Sequence, residues 1–253
     1  MNIASVSTQA YARISSGTQI NSASDNAAGL AISQGMDSQI RGMEENVNNI
    51  GSMTDLANTA EGALDGIGDS LGRIRELAVQ AGNGTLADSD KSIIQAEISQ
   101  LMEGISHTAK ATEFNSIKLL DGSFADKHTA MNPDGAGKQI SIESSSLQSL
   151  GIEGFDVRGS FDIASIDEAI SKVNESRSNL GSVTNAFEHA TKNTLNQMVN
   201  MTGSRSKIED TDMAKEISQL KRQEILDQYT IFTQQAEQAS QRTELGVIQN
   251  FQL

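Results

Sequence analysis

The residues able to carry chemistry are few, and they do not fall at the spacings that chemistry requires. There are three histidines, His107, His128 and His189, and no cysteine. Zinc hydrolases typically place two histidines one helical turn apart around a glutamate, and none of these histidines forms such a pair. The sequence therefore predicts no zinc centre, and the lack of cysteine excludes a disulfide framework or a thiolate site.

Two further groups of residues are similar to a phosphate-binding loop and to a catalytic carboxylate pair, but they lie where neither site is expected. Gly66, Gly68 and Gly72 resemble a glycine-rich phosphate loop, but they fall inside a helical pattern instead of following a strand. The acidic pair Asp65 and Asp69 falls on a polar helix face, where solvated surface is the simplest interpretation. We therefore expect no catalytic residue and no cofactor, and the chain is predicted not to be an enzyme.

Charge and hydropathy exclude other classes. The net charge is −14, from 33 acidic and 19 basic residues. The basic residues are scattered, whereas nucleic-acid binders usually carry a basic stripe, so no nucleic-acid partner is expected. Apolar runs reach only a few residues, which predicts no membrane span. The first twenty residues are polar and lack the apolar core of a cleavable secretory signal.

The elements that position these residues are long helices. From Met36 to Ala78, apolar residues recur at alternating spacings of four and three, which predicts a single helix with a narrow coiled-coil-like seam. The glycines at 82 and 84 are predicted to end it. We assign the following residues of this seam to packing between subunits: Ile40, Val47, Ile50, Leu64 and Leu71.

Further helices follow on both sides of a different region. A second stripe begins at Ile94, a third at Ile166 and a fourth at Met213, where Asp210 or Asp212 is the expected cap. In the fourth stripe, Ile217 and Leu220 are assigned to the packing seam.

Residues 114–160 show short apolar runs between Gly and Ser clusters. Strands are predicted at 117–120 and 139–142, with turns at 121–122 and 134–135. The predicted fold is mainly α: long antiparallel helices in a coiled-coil-like rod bundle with a small β-hairpin region.

Local sequence strings resemble those of bacterial flagellin, in the same order and over nearly the whole chain. These strings are SSGTQINSA at 15–23, DNAAGLAI at 25–32, AEGAL at 60–64, RIRELAVQA at 73–81, QAEI at 95–98, FN at 114–115, KLLDG at 118–122, NLGSV at 179–183 and SKIEDTDMA at 206–214.

The resemblance implies a structural subunit that self-assembles into the helical flagellar filament for motility. It also implies type III export to the cell exterior, with an export chaperone and a filament cap as partners. Residues 1–25 and 213–253 would form terminal helices of the inner filament layer, and residues 26–212 a helical rod domain.

This chain resembles a near-minimal form of the family. The stretch between Phe114 and Ile166 is too short for the variable outer domains, and the segment before Ser15 is shorter than is usual in flagellins. A host innate immune receptor binds the family on its long helices, and the matching positions here are Arg73, Leu77 and Glu97.

Three alternatives stay open at this point. A hook–filament junction protein shares parts of the terminal signatures. A non-polymerising flagellin could act as a secreted receptor ligand. An enzyme on the filament surface would need a zinc motif in the central region, and the sequence contains none.

Overall fold

The structure, a computed structural model, describes residues 3–124, 127–130 and 137–250. The described part contains six helices: α1 Ile3–Ser16, α2 Ala23–Ala81, α3 Asp88–Ala111, α4 Leu147–Leu150, α5 Ala164–Glu209 and α6 Met213–Asn250. Its described residues form two compact units, a terminal unit of Met1–Ile40 with Val199–Leu253 and a central unit of Arg41–Met198. The predicted mainly α fold with long helices is confirmed.

A side-chain hydrogen bond near the start of α2 and a glycine at its end mark the limits of its regular helix. Three residues after its start, α2 is interrupted by a kink at Asn26, whose backbone is extended. Asn26 Oδ1 accepts a hydrogen bond from the Gly29 N–H at 2.9 Å, which satisfies one of the free donors where the helix resumes. The helix ends at Ala81, next to Gly82, as the glycines there predicted. The seam is also confirmed, because most of its apolar residues from Ile40 to Ala78 are buried.

In the central unit, α2, α3 and α5 pack around one core. Cross-helix ion pairs give the directions: Arg75 pairs with Asp167 and Arg177 with Asp65, so α2 and α5 run antiparallel. The connection from α2 to α3 is a short turn, which makes these two helices antiparallel as well. The core joins all three helices with the β region, and its largest fully buried side chains include Ile67, Ile98, Leu120 and Phe187.

Four short strands form two hairpins in the described part of residues 114–160 and its border. They are β1 Glu113–Phe114, β2 Ile117–Lys118, β3 Lys127–Ala130 and β4 Gly137–Ile140, with β1 antiparallel to β2 and β3 antiparallel to β4.

Asn115 and Ser116 connect the first pair with positive φ angles of 48° and 64°, the backbone of a tight hairpin turn. The strand predicted at 117–120 is confirmed only over its first two residues, since Leu119 and Leu120 are buried outside any strand. The strand predicted at 139–142 is shifted to 137–140. The turn predicted at 134–135 lies outside the described residues.

The terminal unit pairs the two ends of the chain. Arg13 of α1 forms an ion pair with Glu216 of α6 at 3.5 Å, and the Tyr11 hydroxyl donates to Glu224 Oε1 at 3.2 Å, so α1 and α6 run antiparallel. Helix α6 begins as predicted at an aspartate cap, because Asp212 Oδ1 accepts from the Lys215 N–H at 3.1 Å.

Candidate assembly and recognition surfaces

A charged cluster bridges α2 and α3 at the positions that the resemblance marked for receptor binding. The Arg73 guanidinium donates to Glu97 Oε1 through Nε and Nη2, at 3.0 and 2.9 Å, and through Nη1 to Glu76 Oε2 at 3.0 Å. These hydrogen bonds, first to Glu97 and then to Glu76, raise the pKa of Arg73. All three side chains are exposed, so the cluster is accessible in the free subunit.

Leu77 differs from its two companions. Its side chain is 2% exposed and belongs to the core of the central unit. The next arginine along the helix, Arg75, forms its ion pair with Asp167 of α5 at 2.6 Å, which raises the pKa of Arg75. Arg73 and Arg75 are equally exposed but pair with different helices.

The seven residues assigned to a packing seam fall into different environments. Ile50, Leu64 and Leu71 are almost fully buried in the core of the central unit, and Ile40 and Leu220 are buried in the terminal unit. Val47 is partly buried. Ile217 is 45% exposed. In the folded subunit, the apolar seam of α2 is therefore mainly covered by the chain itself.

Helix α6 instead carries exposed apolar residues. Ile225, Tyr229 and Phe232 are 65%, 67% and 69% exposed, and they recur at the four–three spacing of one helix face. We call these three residues the α6 apolar face. It lies on the side away from Glu216 and Leu220, the α6 positions buried in the pairing with α1. Such a row of large apolar side chains is typical of a protein–protein contact.

A backbone junction holds the two breaks between helices together in the terminal unit. The Gln19 N–H donates to the Glu209 carbonyl at 2.7 Å, and the Thr211 N–H donates to the Gly17 carbonyl at 3.0 Å. The Gln19 side chain adds a bond to the Ile208 carbonyl at 2.7 Å. Sequence reasoning missed this junction. Its one local signal is that residue 17 is a glycine, the residue type that most readily adopts the positive φ of 75° observed there.

The described residues hold neither a candidate metal centre nor a candidate membrane span. They contain no group of three or more His, Cys, Asp or Glu side chains arranged to hold a metal ion. No helix in the described ranges has both the length and the hydrophobicity needed to span a membrane.

Comparison with known proteins shows the family. The model of the bacterial flagellin N-terminal helical region matches residues 2–125, and that of the C-terminal helical region matches residues 163–243. Flagellin from Halalkalibacterium halodurans is 37% identical over 236 residues, covering 87% of this chain and 84% of the relative. The chain belongs to the bacterial flagellin family.

Other flagellins agree in sequence and in structure. Flagellin from Bacillus subtilis is 38% identical over 259 residues, covering 85% of this chain and 84% of the relative. The crystal structure of Bacillus cereus flagellin superposes with a TM-score of 0.53 at 28% identity, covering 62% of this chain and 94% of that one.

The protein is accordingly a structural subunit of the bacterial flagellar filament, a short member of a family that self-assembles. Because these relatives are flagellins, the alternative of a hook–filament junction protein is not favoured.

Proposed function

We propose that this flagellin assembles into its filament by burying the α6 apolar face against neighbouring subunits. The observation that carries the proposal is the exposure of Ile225, Tyr229 and Phe232 in the single chain. Burying a large apolar side chain contributes about 1.5–3 kcal/mol, so three per subunit give a substantial drive for association. Ile217, the exposed member of the packing seam, adds a fourth large apolar side chain on α6 that a neighbouring subunit can bury. The α2 seam residues stabilise the subunit itself.

The layer assignment follows from this proposal. Residues 1–25 and 213–253 form the inner filament layer, and residues 26–212 form the helical rod domain outside it. The pairing of α1 with α6 supports this division, because it leaves one face of α6 free for a neighbour.

Seeded polymerisation tests the proposal. Purified subunit is added to short flagellar filament seeds, preferably from its own source, and elongation is followed by electron microscopy. The unchanged chain is expected to elongate the seeds. Phe232→Ser and Ile225→Ser are expected to reduce elongation strongly, because each removes apolar area that only the filament buries. Gln228→Ser, a change of an exposed polar residue on the same helix, is the matched control.

Each outcome has a definite meaning. Elongation by Phe232→Ser at the rate of the control would contradict the role of the α6 apolar face. Persistent monomer of the unchanged chain, with seeds shown to be competent by an ordinary flagellin, would instead support the non-polymerising receptor ligand. Circular dichroism of every variant verifies that helix content is unchanged.

Export to the cell exterior through the flagellar apparatus is a second part of the proposed function. A chaperone that binds α6 before export, and a cap under which subunits are added, are its partners. The support for the chaperone is the α6 apolar face, which would otherwise favour aggregation in the cell. We expect a co-purified chaperone to slow amide hydrogen exchange in α6, and Phe232→Ser to weaken its binding while Gln228→Ser leaves it intact.

Recognition by a host innate immune receptor is proposed for the Arg73 cluster. Arg73 and Glu97 are exposed and linked, whereas the buried Leu77 supports the surface from beneath. Arg73→Ala or Glu97→Ala is expected to raise the concentration for half-maximal signalling about 5–30-fold, the effect of losing a 1–2 kcal/mol contact. Arg75→Ala is the matched control, since Arg75 is equally exposed but pairs with α5. Unchanged signalling by Arg73→Ala would remove this assignment.

A further inference from the structure

We propose that Asn83 is a site of spontaneous deamidation, promoted by the turn in which it lies. Asn83 and Gly84 are exposed in the connection between α2 and α3. They form the single Asn-Gly pair of the sequence. The reaction is attack by the Gly84 backbone nitrogen on the side-chain amide of Asn83, and the folded chain supplies both the approach and the polarisation that this attack needs.

The approach comes from the hydrogen bonding of the turn. Asn83 Oδ1 accepts a hydrogen bond from the Thr85 N–H at 3.1 Å, and the Leu86 N–H donates to the Asn83 carbonyl at 3.2 Å. An Asn side chain bonded to the amide two residues ahead is folded back over the intervening peptide. The intervening nitrogen is that of Gly84, so Cγ of Asn83 is held beside its attacker. Holding two reacting groups together removes much of the entropic barrier to their reaction.

The polarisation comes from Thr85. Its hydroxyl Oγ1 is 2.9 Å from Asn83 Oδ1, so this oxygen accepts from both the backbone and the side chain of one residue. Attack at Cγ places negative charge on Oδ1. Two donors already aimed at that oxygen stabilise the charge as an oxyanion hole does. Gly84 has no side chain, and open space surrounds the position that a Cβ would take.

The reaction balances with water alone. The Gly84 nitrogen loses its proton to solvent base and forms a bond to Cγ of Asn83. The bond from Cγ to the amide nitrogen then breaks, and ammonia leaves with a proton from solvent. The product is a cyclic imide. Water opens the imide at either carbonyl and leaves aspartate or isoaspartate at position 83, with one more negative charge.

Two other asparagines outside the helices, each followed by serine, provide internal comparisons. Asn21 Oδ1 accepts from the Thr18 hydroxyl at 2.7 Å, but the Ser22 N–H that would attack donates to Asp25 Oδ2 at 2.9 Å. Asn115 lies in the β1–β2 turn with φ of 48°, in the left-handed region. Neither asparagine shares the arrangement at Asn83. Because all three lie in one chain, their deamidation rates can be compared in the same sample.

The experiment follows deamidation site by site. The folded full-length chain is incubated in mildly alkaline buffer and, in parallel, in denaturing urea, and peptides are analysed by mass spectrometry and an isoaspartate assay. We expect Asn83 to react faster than Asn21 and Asn115, and faster in the folded than in the unfolded chain. A folded rate at or below the unfolded rate would overturn the proposal, because the sequence alone would then explain the reaction.

Substitutions at Thr85 test the polarisation. Thr85→Val removes the hydroxyl donor at nearly constant shape and is expected to slow the folded reaction about 2–10-fold, the worth of one ordinary hydrogen bond. Thr85→Ser keeps the donor and is expected to retain the rate. The two variants should react equally in urea. Equal rates of the two folded variants would overturn the role of Thr85, and with it the proposal.

Discussion

At the scale of single residues, Gln95 shows how one side chain holds an irregular segment in place. Gln95 lies on α3 and is 9% exposed. Gln95 Oε1 accepts from the buried Val157 N–H at 2.8 Å, and Nε2 donates to the Phe155 carbonyl at 3.1 Å. The segment around these residues belongs to no strand, so the glutamine replaces the backbone bonds that a sheet would supply.

Replacing Gln95 with leucine tests this role. Gln95→Leu leaves the buried Val157 N–H without its acceptor and is expected to reduce the free energy of unfolding of the central unit by about 1–3 kcal/mol. Gln100→Leu, at an exposed position of the same helix, is expected to change it by less than about 0.5 kcal/mol. Chemical denaturation followed by circular dichroism measures the free energy of unfolding of both variants. Equal stabilities would show that the two hydrogen bonds of Gln95 are dispensable.

At the scale of helices, α1 and α6 depend on each other. Helix α1 has 14 residues and α6 has 38. An isolated helix as short as α1 is marginally stable in water, and helices in proteins obtain most of their stability from packing against other elements. The contact includes the buried Leu220 and Ala10 together with Glu216, which is 8% exposed and paired with Arg13. A carboxylate at this depth requires its partner, because desolvation disfavours an unpaired charge.

Removing that partner is expected to weaken the pairing of α1 with α6. Arg13→Gln should lower the stability of the terminal unit by about 1–2 kcal/mol, less than for a fully buried pair because a third of the Arg13 side chain reaches solvent. Lys215→Gln removes an exposed positive charge from the same end of α6 and serves as control. Amide hydrogen exchange across α1 and α6 is the measurement. Unchanged exchange in Arg13→Gln would show that the ion pair contributes nothing.

At the scale of the whole molecule, the apolar core is distributed unevenly. The core cluster of buried side chains runs from Ile50 to Phe187 and lies wholly in the central unit. Among the side chains of the terminal unit that the structure describes, far fewer are apolar and buried: Ala10, Ile20, Ile40 and Leu220. Because apolar burial is the main favourable term in folding, we expect the terminal unit to be the less stable of the two.

We therefore expect two thermal transitions in the free subunit, with the terminal unit unfolding first. Phe187→Ala should lower the second transition, since removing a buried phenylalanine costs about 3–5 kcal/mol. Leu220→Ala should lower only the first. Calorimetry combined with hydrogen exchange assigns each transition to its unit. A single transition that moves with both substitutions would show that the chain unfolds as one cooperative body.

The sequence by itself determined what local chemistry controls. The alternating spacing from Met36 to Ala78 predicted the seam of α2, and glycine predicted its end. The aspartates at 210 and 212 predicted the start of α6, although the sequence did not choose between them. These signals are readable because helix periodicity and capping involve residues close together in the chain. The ordered flagellin strings identified the family. The resemblance to flagellin also singled out Arg73 and Glu97, which the structure brings together in one hydrogen-bonded pair.

Only the tertiary structure decided which surface each apolar residue serves. Leu64 and Leu71 are buried in the core of the chain itself, while Ile217 is left exposed on α6. The same helical periodicity of apolar residues predicted both α2 and α6. Periodicity shows that a helix face must be covered, but it carries no information about which surface covers it. The hydrogen bonds of Gln95 and the junction at Gln19 likewise join residues far apart in the chain, so no local pattern predicts them.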